Sequence, residues 1–171
     1  SVLMHAMEWM GRNNLGYSYM EKGDYQASQP YLLKSLDIAQ DIGAEPLAGA
    51  ILDSLATLYY AMGDYGKSTR YYRDGLRLCV KLNALPLSLE ILLGYAMIYS
   101  KTGKLHQAAE LMCLVYHHPS VVHEIRERAA RMLRDLEQEI KVECLHSDQI
   151  EITSLDVDHA ISNILYPHQI K

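Results

Sequence analysis

The sequence predicts an all-α fold, an α-solenoid of antiparallel helix pairs with about three copies of the pair and a C-terminal capping helix. The first observation is an internal repeat with a period of 40 residues, because Gly23-Asp24-Tyr25 returns at Gly63-Asp64-Tyr65 and, more weakly, at Gly103-Lys104-Leu105. The second is that apolar residues recur at helical spacing on both sides of each turn. Each copy is therefore predicted to contain a helix, a tight turn and a second helix.

Two neighbouring positions of the repeat keep their size in all copies. One is small, at Gly16, Ala56 and Ala96, and the other is large, at Tyr19, Tyr59 and Tyr99. A small residue lets a packed helix approach closely, and a large one fills the space beside it. The glycine of the turn favours the left-handed conformation that ends a helix, and the aspartate after it favours capping of the next helix.

Six predicted helices form the three pairs. They cover residues 1–22, 25–42, 46–62, 65–82, 86–102 and 105–117. Gly43 and Asn83 share a repeat position, and both tolerate the left-handed conformation that follows a helix. Pro46 and Pro86 come next, where proline is typical of a helix start. The sixth helix is predicted to end at His117-His118-Pro119.

The last third of the chain departs from the repeat. Residues 120–142 predict a helix capped by Ser120, with one apolar stripe and one charged face, which is what the end of a solenoid requires. Together with the repeats it forms a predicted array at residues 1–142. Residues 143–154 are a predicted linker, and residues 155–166 a short terminal helix. Because so short a helix is marginal in isolation, we expect it to dock at one end of the array.

The repeat resembles the tetratricopeptide repeat (TPR). The best match is Leu15-Gly16 with Tyr19 and Gly23-Asp24-Tyr25, and the equivalent residues around Gly63-Asp64-Tyr65 match nearly as well. The family's usual period is about 34 residues. The longer period here is similar to that of the C-terminal sensor arms of bacterial ATPase-type transcription activators and related signalling proteins. The resemblance covers roughly residues 1–117, and it implies a non-enzymatic protein-interaction scaffold.

Composition excludes several classes of protein. The formal net charge of −5 and the pI of about 5.9 argue against direct binding to nucleic acid or to an anionic membrane. The three cysteines form no CxxC pair, which favours reduced thiols and a cytoplasmic location. The sequence shows no signal peptide and no apolar run long enough to cross a bilayer.

No catalytic or cofactor motif is evident. The sequence lacks a Walker loop, GxGxxG, HExxH, GxSxG and zinc-ribbon spacing, so neither enzymatic activity nor a cofactor is expected. Potential metal ligands do cluster at Cys113, His117, His118 and His123, with Cys144 as a further candidate. However, adjacent histidines cannot easily point the same way, and we expect these to be ordinary loop and helix-end residues. Cys79 is expected to be a small core residue rather than a nucleophile.

The resemblance implies that the first helix of each pair lines a concave partner-binding groove. The family's groove positions fall on Asn13, Tyr17 and Met20, on Asp53, Thr57 and Tyr60, and on Leu93, Met97 and Ser100. Glu90 lies one turn before Leu93 on the same helix and is included in the predicted lining. This lining is rich in Tyr and Met and poor in charge, which favours an apolar peptide or partner helix as ligand. Only Asn13 matches the Lys and Asn pattern of the family's carboxylate clamp, so an acidic C-terminal peptide is not expected to be the ligand.

Three functions remain open from the sequence. The first is a scaffold that binds a peptide or partner helix in the groove. The second is an effector-sensing arm of a larger signalling ATPase or transcription regulator. The third is an oligomerisation module, in which the first helix or the terminal helix pairs two chains. For Tyr60 and Met97, simple packing between neighbouring first helices is an equal alternative to ligand contact.

Overall fold

The computed structural model describes residues 2–140 and 156–167, without the side chains of residues 2, 3, 5–10, 139 and 140. These residues form helices and connecting turns, with no β-strand among them, which confirms the predicted all-α repeat fold. The helices are α1 Val2–Glu21, α2 Tyr25–Asp41, α3 Glu45–Ala61, α4 Tyr65–Leu82, α5 Leu85–Lys101, α6 Leu105–His117, α7 His123–Ile140 and α8 Val157–Leu165. The predicted linker at residues 143–154 lies outside the described residues.

The chain divides into two compact units, an N-terminal unit Ser1–Asn83 with α1 to α4 and a C-terminal unit Ala84–Lys171 with α5 to α8. In the N-terminal unit, α1 packs on α2, α2 on α3, and α3 on α4. Short turns join these helices, so consecutive helices are antiparallel. The core of this unit is an aliphatic cluster with one aromatic ring, contributed by Leu32, Leu36, Ala39, Ala48, Ile51, Leu52, Leu55, Leu58 and Tyr59.

The turn between α3 and α4 confirms the mechanism predicted from the sequence. Gly63 has a φ of 78°, in the left-handed region where an L side chain is strained. Asp64 then caps α4, because its Oδ1 accepts a 3.0 Å hydrogen bond from the backbone N–H of Lys67. The turn before α2 repeats this arrangement, with Asp24 Oδ1 accepting from the N–H of Ala27 at 3.1 Å.

The small position of the repeat allows close packing, as predicted. A Cβ added to Gly16 would lie 2.8 Å from Leu32 Cδ2, so α1 and α2 approach each other where only glycine fits without a shift. The equivalent residue Ala56 is fully buried in the next pair. The repeat therefore reflects a packing constraint between the two helices of each pair.

In the C-terminal unit, α6 packs on both α5 and α7. α5 is apolar on nearly all sides and is buried accordingly, from Ser88 to Ala96 with the exception of Glu90. α7 is amphipathic and buries four residues of the predicted stripe, Ile125, Ala129, Leu133 and Leu136. α8 buries Val157, Ala160, Ile161 and Ile164 within this single chain.

The start of α7 corrects one prediction. Ser120 does not cap this helix, which begins at His123. Val121 is buried and its N–H donates to the carbonyl of His118 at 3.2 Å, so this segment forms a turn that anchors Val121 before the helix starts. The carbonyl of Val122 then accepts the 3.0 Å hydrogen bond from Arg126 N–H that opens the helix. Burial of Val121 is therefore accompanied by a helix start at His123 instead of the start predicted from a Ser120 cap.

Candidate functional site

Six of the predicted binding residues lie on two helices of the N-terminal unit. Asn13, Tyr17 and Met20 are spaced so that they share one face of α1, and Asp53, Thr57 and Tyr60 have the same spacing on α3. None of the six is fully buried. We call these six residues the α1–α3 strip.

A hydrogen bond ties the α1 half of the strip to α3. Tyr17 is 38 % exposed, and its phenolic hydroxyl contacts the hydroxyl of Ser54 on α3. Ser54 Oγ itself donates to the carbonyl of Ala50 at 2.9 Å. Because a hydroxyl has one proton, Ser54 must be the acceptor and Tyr17 the donor in the first bond. The Tyr17 ring is therefore held between the helices with part of its surface available to solvent.

Asn13, one turn before Tyr17 on the same face, has an unsatisfied acceptor. Its Oδ1 atom is buried and accepts no hydrogen bond from the described part of the chain, although the residue as a whole is only half-buried. Leaving a buried polar atom without a partner costs about 1–3 kcal/mol. A rotation of the side chain that brought Oδ1 to the surface would let a hydrogen-bond donor of a ligand relieve this cost.

The α3 half of the strip is tied to α4. Thr57 Oγ1 lies 3.2 Å from the hydroxyl of Tyr72, and the ring of Tyr60 packs on Tyr65 with centroids 5.5 Å apart. Burial, and secondarily the neighbouring Tyr65, raise the pKa of Tyr60 above its ordinary value, so this phenol stays neutral at physiological pH. Tyr60 therefore offers an apolar ring with a hydroxyl that can both donate and accept.

The strip has little charge. Asp53, half-buried, is its single carboxylate, and the strip contains no Lys, Arg or His. Met20 is half-buried and packs against the aliphatic core cluster, so part of its role is structural. The chemistry of the strip is thus mainly aromatic, with polar atoms at fixed positions.

The four remaining predicted residues lie on α5 in the C-terminal unit. Glu90, Met97 and Ser100 are half-buried. Leu93 is 0 % exposed and belongs to the core of this unit. The sequence could not distinguish these cases, because α5 is apolar on almost every side and its pattern does not indicate a solvent-facing stripe.

The structure tests two of the predictions about cysteine, and they have opposite outcomes. Within residues 2–140 and 156–167, no group of three or more His, Cys, Asp or Glu side chains is placed to hold a metal ion. Cys79 is a buried free thiol, as expected of a core residue. Cys113 is disulfide-bonded, so the expectation of reduced thiols is wrong at that residue.

The N-terminal unit has a second concave feature that the sequence did not predict. A cavity of about 560 Å³ lies between α2 and α4, with Leu52 of α3 contributing to its lining, and it shares no residue with the α1–α3 strip. The charge pattern of the repeat could have indicated this cavity. Asp37 on α2 corresponds to Arg77 on α4, and Asp41 corresponds to Lys81. Equivalent positions therefore carry opposite charges on the two helices.

Both the strip and the cavity lie in a segment that matches a known protein family. Residues 9–81, which include the whole α1–α3 strip and the whole α2–α4 cavity, match the family model described as tetratricopeptide repeat. Curated proteins and solved structures give no match. Among the helices of the described residues, none has the length and apolar character needed to cross a membrane.

Proposed function

Residues 9–81 belong to the tetratricopeptide repeat family, and on this premise we propose that the chain is a protein-interaction module whose α1–α3 strip binds an apolar peptide or a helix of a partner protein. Repeats of this family generally mediate protein–protein interaction and are typically non-enzymatic scaffolds.

The single observation that best supports the proposal is the pairing of Asn13 with Tyr17. A buried, unsatisfied Oδ1 lies one helical turn from an exposed aromatic ring that a hydrogen bond to Ser54 holds in place. Most buried polar atoms in proteins have a partner, so an orphan acceptor marks a side chain that gains a hydrogen bond, without losing one inside the protein, when it rotates to meet a donor of a ligand. A peptide N–H is a suitable donor.

The rest of the strip fits an apolar ligand. Tyr17 and Tyr60 present rings with polar tips, and such rings give large contact areas at low conformational entropy cost. Asp53 is the one carboxylate among the six side chains, so a strongly acidic ligand would not be favoured. Binding is expected to depend on apolar contact and a few directed hydrogen bonds.

The test uses peptides selected from a random display library against the full chain and then synthesised for titration by fluorescence anisotropy. We expect Asn13→Ala and Tyr17→Ala each to weaken binding by about tenfold, equivalent to about 1.4 kcal/mol. Tyr166→Ala is the matched control, since Tyr166 is 51 % exposed and lies outside the strip. The proposal fails if selected peptides bind equally well to both strip variants.

A second candidate function is self-association through α1, which one difference between repeats favours. Leu15 is 40 % exposed, whereas Leu55 at the same repeat position is 0 % exposed. A Cβ added to Gly11 would have no atom within 4 Å, whereas Ile51 at the equivalent position is 1 % exposed. On α3 this face packs with α2 in the core cluster, whereas on α1 the described residues leave it uncovered. The apolar side of α8 is buried, so α1 is the better of the two helices for pairing chains.

Analytical ultracentrifugation of the full chain tests this second candidate. We expect a concentration-dependent dimer that Leu15→Glu abolishes. Val80→Glu serves as the control, because Val80 is an exposed apolar residue on α4, at 55 % exposure. A chain that stays monomeric at high concentration would exclude this function.

A further inference from the structure

The cavity between α2 and α4 has an apolar floor. It is formed by side chains that are buried or half-buried, namely Leu33, Leu36, Leu52, Tyr71 and Leu78. The Tyr71 ring stacks on Tyr59, with centroids 5.4 Å apart and planes inclined by 8°. Tyr59 is a core residue, so this stack fixes the aromatic part of the floor. The volume of about 560 Å³ is within the range of ligand-binding pockets, about 300–1,000 Å³.

The two walls of the cavity differ in charge. The α2 wall presents the exposed carboxylate of Asp37, whereas the α4 wall presents three cations and one half-buried carboxylate, namely Arg70, Arg77, Lys81 and Asp74. Opposite walls of this kind could close the cavity by forming salt bridges across it, but no salt bridge joins the described side chains of the two walls. Arg77 Nη1 instead binds Asp74 Oδ1 on its own helix at 2.7 Å, and Lys81 binds Glu45 at the start of α3.

Asp37 and Arg70 are therefore the available charges of the two walls. Neither forms a salt bridge to another described residue. Both lie at the rim of an apolar floor, where a partner's charges would meet a less polar environment than open water. Such an arrangement selects a ligand with an apolar centre, a basic side facing Asp37 and an acidic side facing Arg70.

The dimensions favour a helix as this ligand. α2 and α4 are parallel to each other, because each is antiparallel to α3. The lining residues of α4 extend from Arg70 to Lys81, which is about 16 Å along the axis at about 1.5 Å per residue, or about three helical turns. A groove between two parallel helices accepts a third helix whose apolar seam faces the floor and whose flanking residues face the walls, as in a coiled coil.

We propose that the α2–α4 cavity is a second interaction site, which takes an amphipathic helix of a partner protein with an apolar seam, one basic flank against Asp37 and one acidic flank against Arg70. This inference is independent of the α1–α3 strip, since the two sites have no residue in common. The chain then contacts partner helices or peptides on two surfaces of its N-terminal unit.

Three synthetic helical peptides with the same leucine seam test the charge pattern. The first has one basic and one acidic flank, the second has two basic flanks and the third has two acidic flanks. Titration of the full chain at low salt, where charge contributions are least screened, is expected to show that the first peptide binds at least about tenfold more tightly than the others, a difference of about 1.4 kcal/mol. Equal affinities for all three would overturn the proposal.

Charge reversal in the protein gives the sharper test. Asp37→Lys should switch the preference to the peptide with two acidic flanks, and Arg70→Glu to the peptide with two basic flanks. Asp41→Lys is the matched control, because it makes the same charge change on the same helix at an exposed residue that does not line the cavity. A shift by Asp41→Lys as large as that by Asp37→Lys would contradict the site and indicate a nonspecific field effect.

Two further readouts distinguish this site from the α1–α3 strip and from self-association. Tyr17→Ala is expected to leave the affinity for the mixed-flank peptide unchanged, so failure of one proposal does not imply failure of the other.

Thermal unfolding reports whether each variant folds. We expect Asp37→Lys and Arg70→Glu to fold, because Asp37 and Arg70 are exposed. If sedimentation shows that the wild-type chain self-associates and that Asp37→Lys alone prevents it, the occupant is a second copy and the proposal of a partner helix is wrong.

Discussion

Ser68 Oγ donates a 2.7 Å hydrogen bond to the backbone carbonyl of Ala56, and this bond ties the second helix of a pair to the first. The preceding pair has the same bond, from Ser28 Oγ to the carbonyl of Gly16 at 2.7 Å. Both serines are 0 % exposed. The repeat therefore preserves a buried polar contact at its closest helix approach as well as a pattern of residue sizes.

Ser68→Ala should lower the free energy of unfolding by about 1 kcal/mol, the usual net contribution of one intramolecular hydrogen bond. The loss is modest because the carbonyl of Ala56 lies within α3, where the helix's own backbone hydrogen bonding still satisfies it. Urea denaturation measures the change. A variant as stable as the wild type would show that this bond does not contribute to the stability of the pair.

Gly16→Ala should lower the free energy of unfolding by about 1–3 kcal/mol relative to Gly66→Ala, because overpacking usually costs this much. Both substitutions remove a helical glycine, but a Cβ at Gly16 would lie 2.8 Å from Leu32 Cδ2, whereas one at Gly66 would meet Asp64 Oδ1 at 3.6 Å. Leu32 is fully buried and has little room to move. Paired urea denaturation curves measure the difference, and equal effects would mean that α2 adjusts freely.

Asp64 should make the stability of the fold depend on pH in the acid range. The hydrogen bond from the backbone N–H of Lys67 is the main cause that lowers the pKa of Asp64 below its ordinary value of 3.8. A lowered folded-state pKa contributes stability that is present above the unfolded-state pKa and lost as the pH falls through the folded-state pKa. Asp64→Asn keeps the capping oxygen without the charge.

The measurement is urea denaturation of wild type and Asp64→Asn from about pH 5 to about pH 2. The wild type should lose more stability than the variant over this interval. Identical slopes would show that the carboxylate charge at this cap has no effect on folding.

Ser54→Ala should weaken binding of a strip-selected peptide by about three- to tenfold, or about 0.6–1.4 kcal/mol, while the fold stays intact. The substitution removes the acceptor that orients the Tyr17 hydroxyl, and an exposed ring without this anchor loses more freedom when a ligand binds. Fluorescence anisotropy measures the affinity. Ser88→Ala is the control, because Ser88 Oγ donates to the carbonyl of Ala84 within its own turn. Equal affinity of Ser54→Ala and wild type would mean that ring orientation is unimportant.

The features that could be predicted from sequence are those set by short-range physics. The left-handed turn at Gly63 and the cap at Asp64 follow from backbone sterics and a local hydrogen bond, and the repeat made both visible. The close approach at Gly16 followed from residue size alone. Such features need only the residues within one helix pair.

What could not be predicted depends on contacts between distant residues. Leu93 has the same repeat position as Asn13, yet it is fully buried, because the apolar surroundings of α5 decide its exposure. Ser120 does not cap α7, because Val121 is buried and the helix begins at His123. A rule for helix caps considers the capping residue and not the burial of its neighbours. The link from Tyr17 to Ser54 joins two helices whose spacing the sequence does not state.

The most direct test of the proposed function is an NMR titration of the isotopically labelled full chain with a peptide from the display selection. We predict that the largest amide shift changes fall on α1 and α3 around Asn13, Tyr17, Thr57 and Tyr60, and that Tyr17→Ala reduces them. Shift changes confined to helices without strip residues, or unaffected by Tyr17→Ala, would contradict the assignment of the α1–α3 strip as the binding surface.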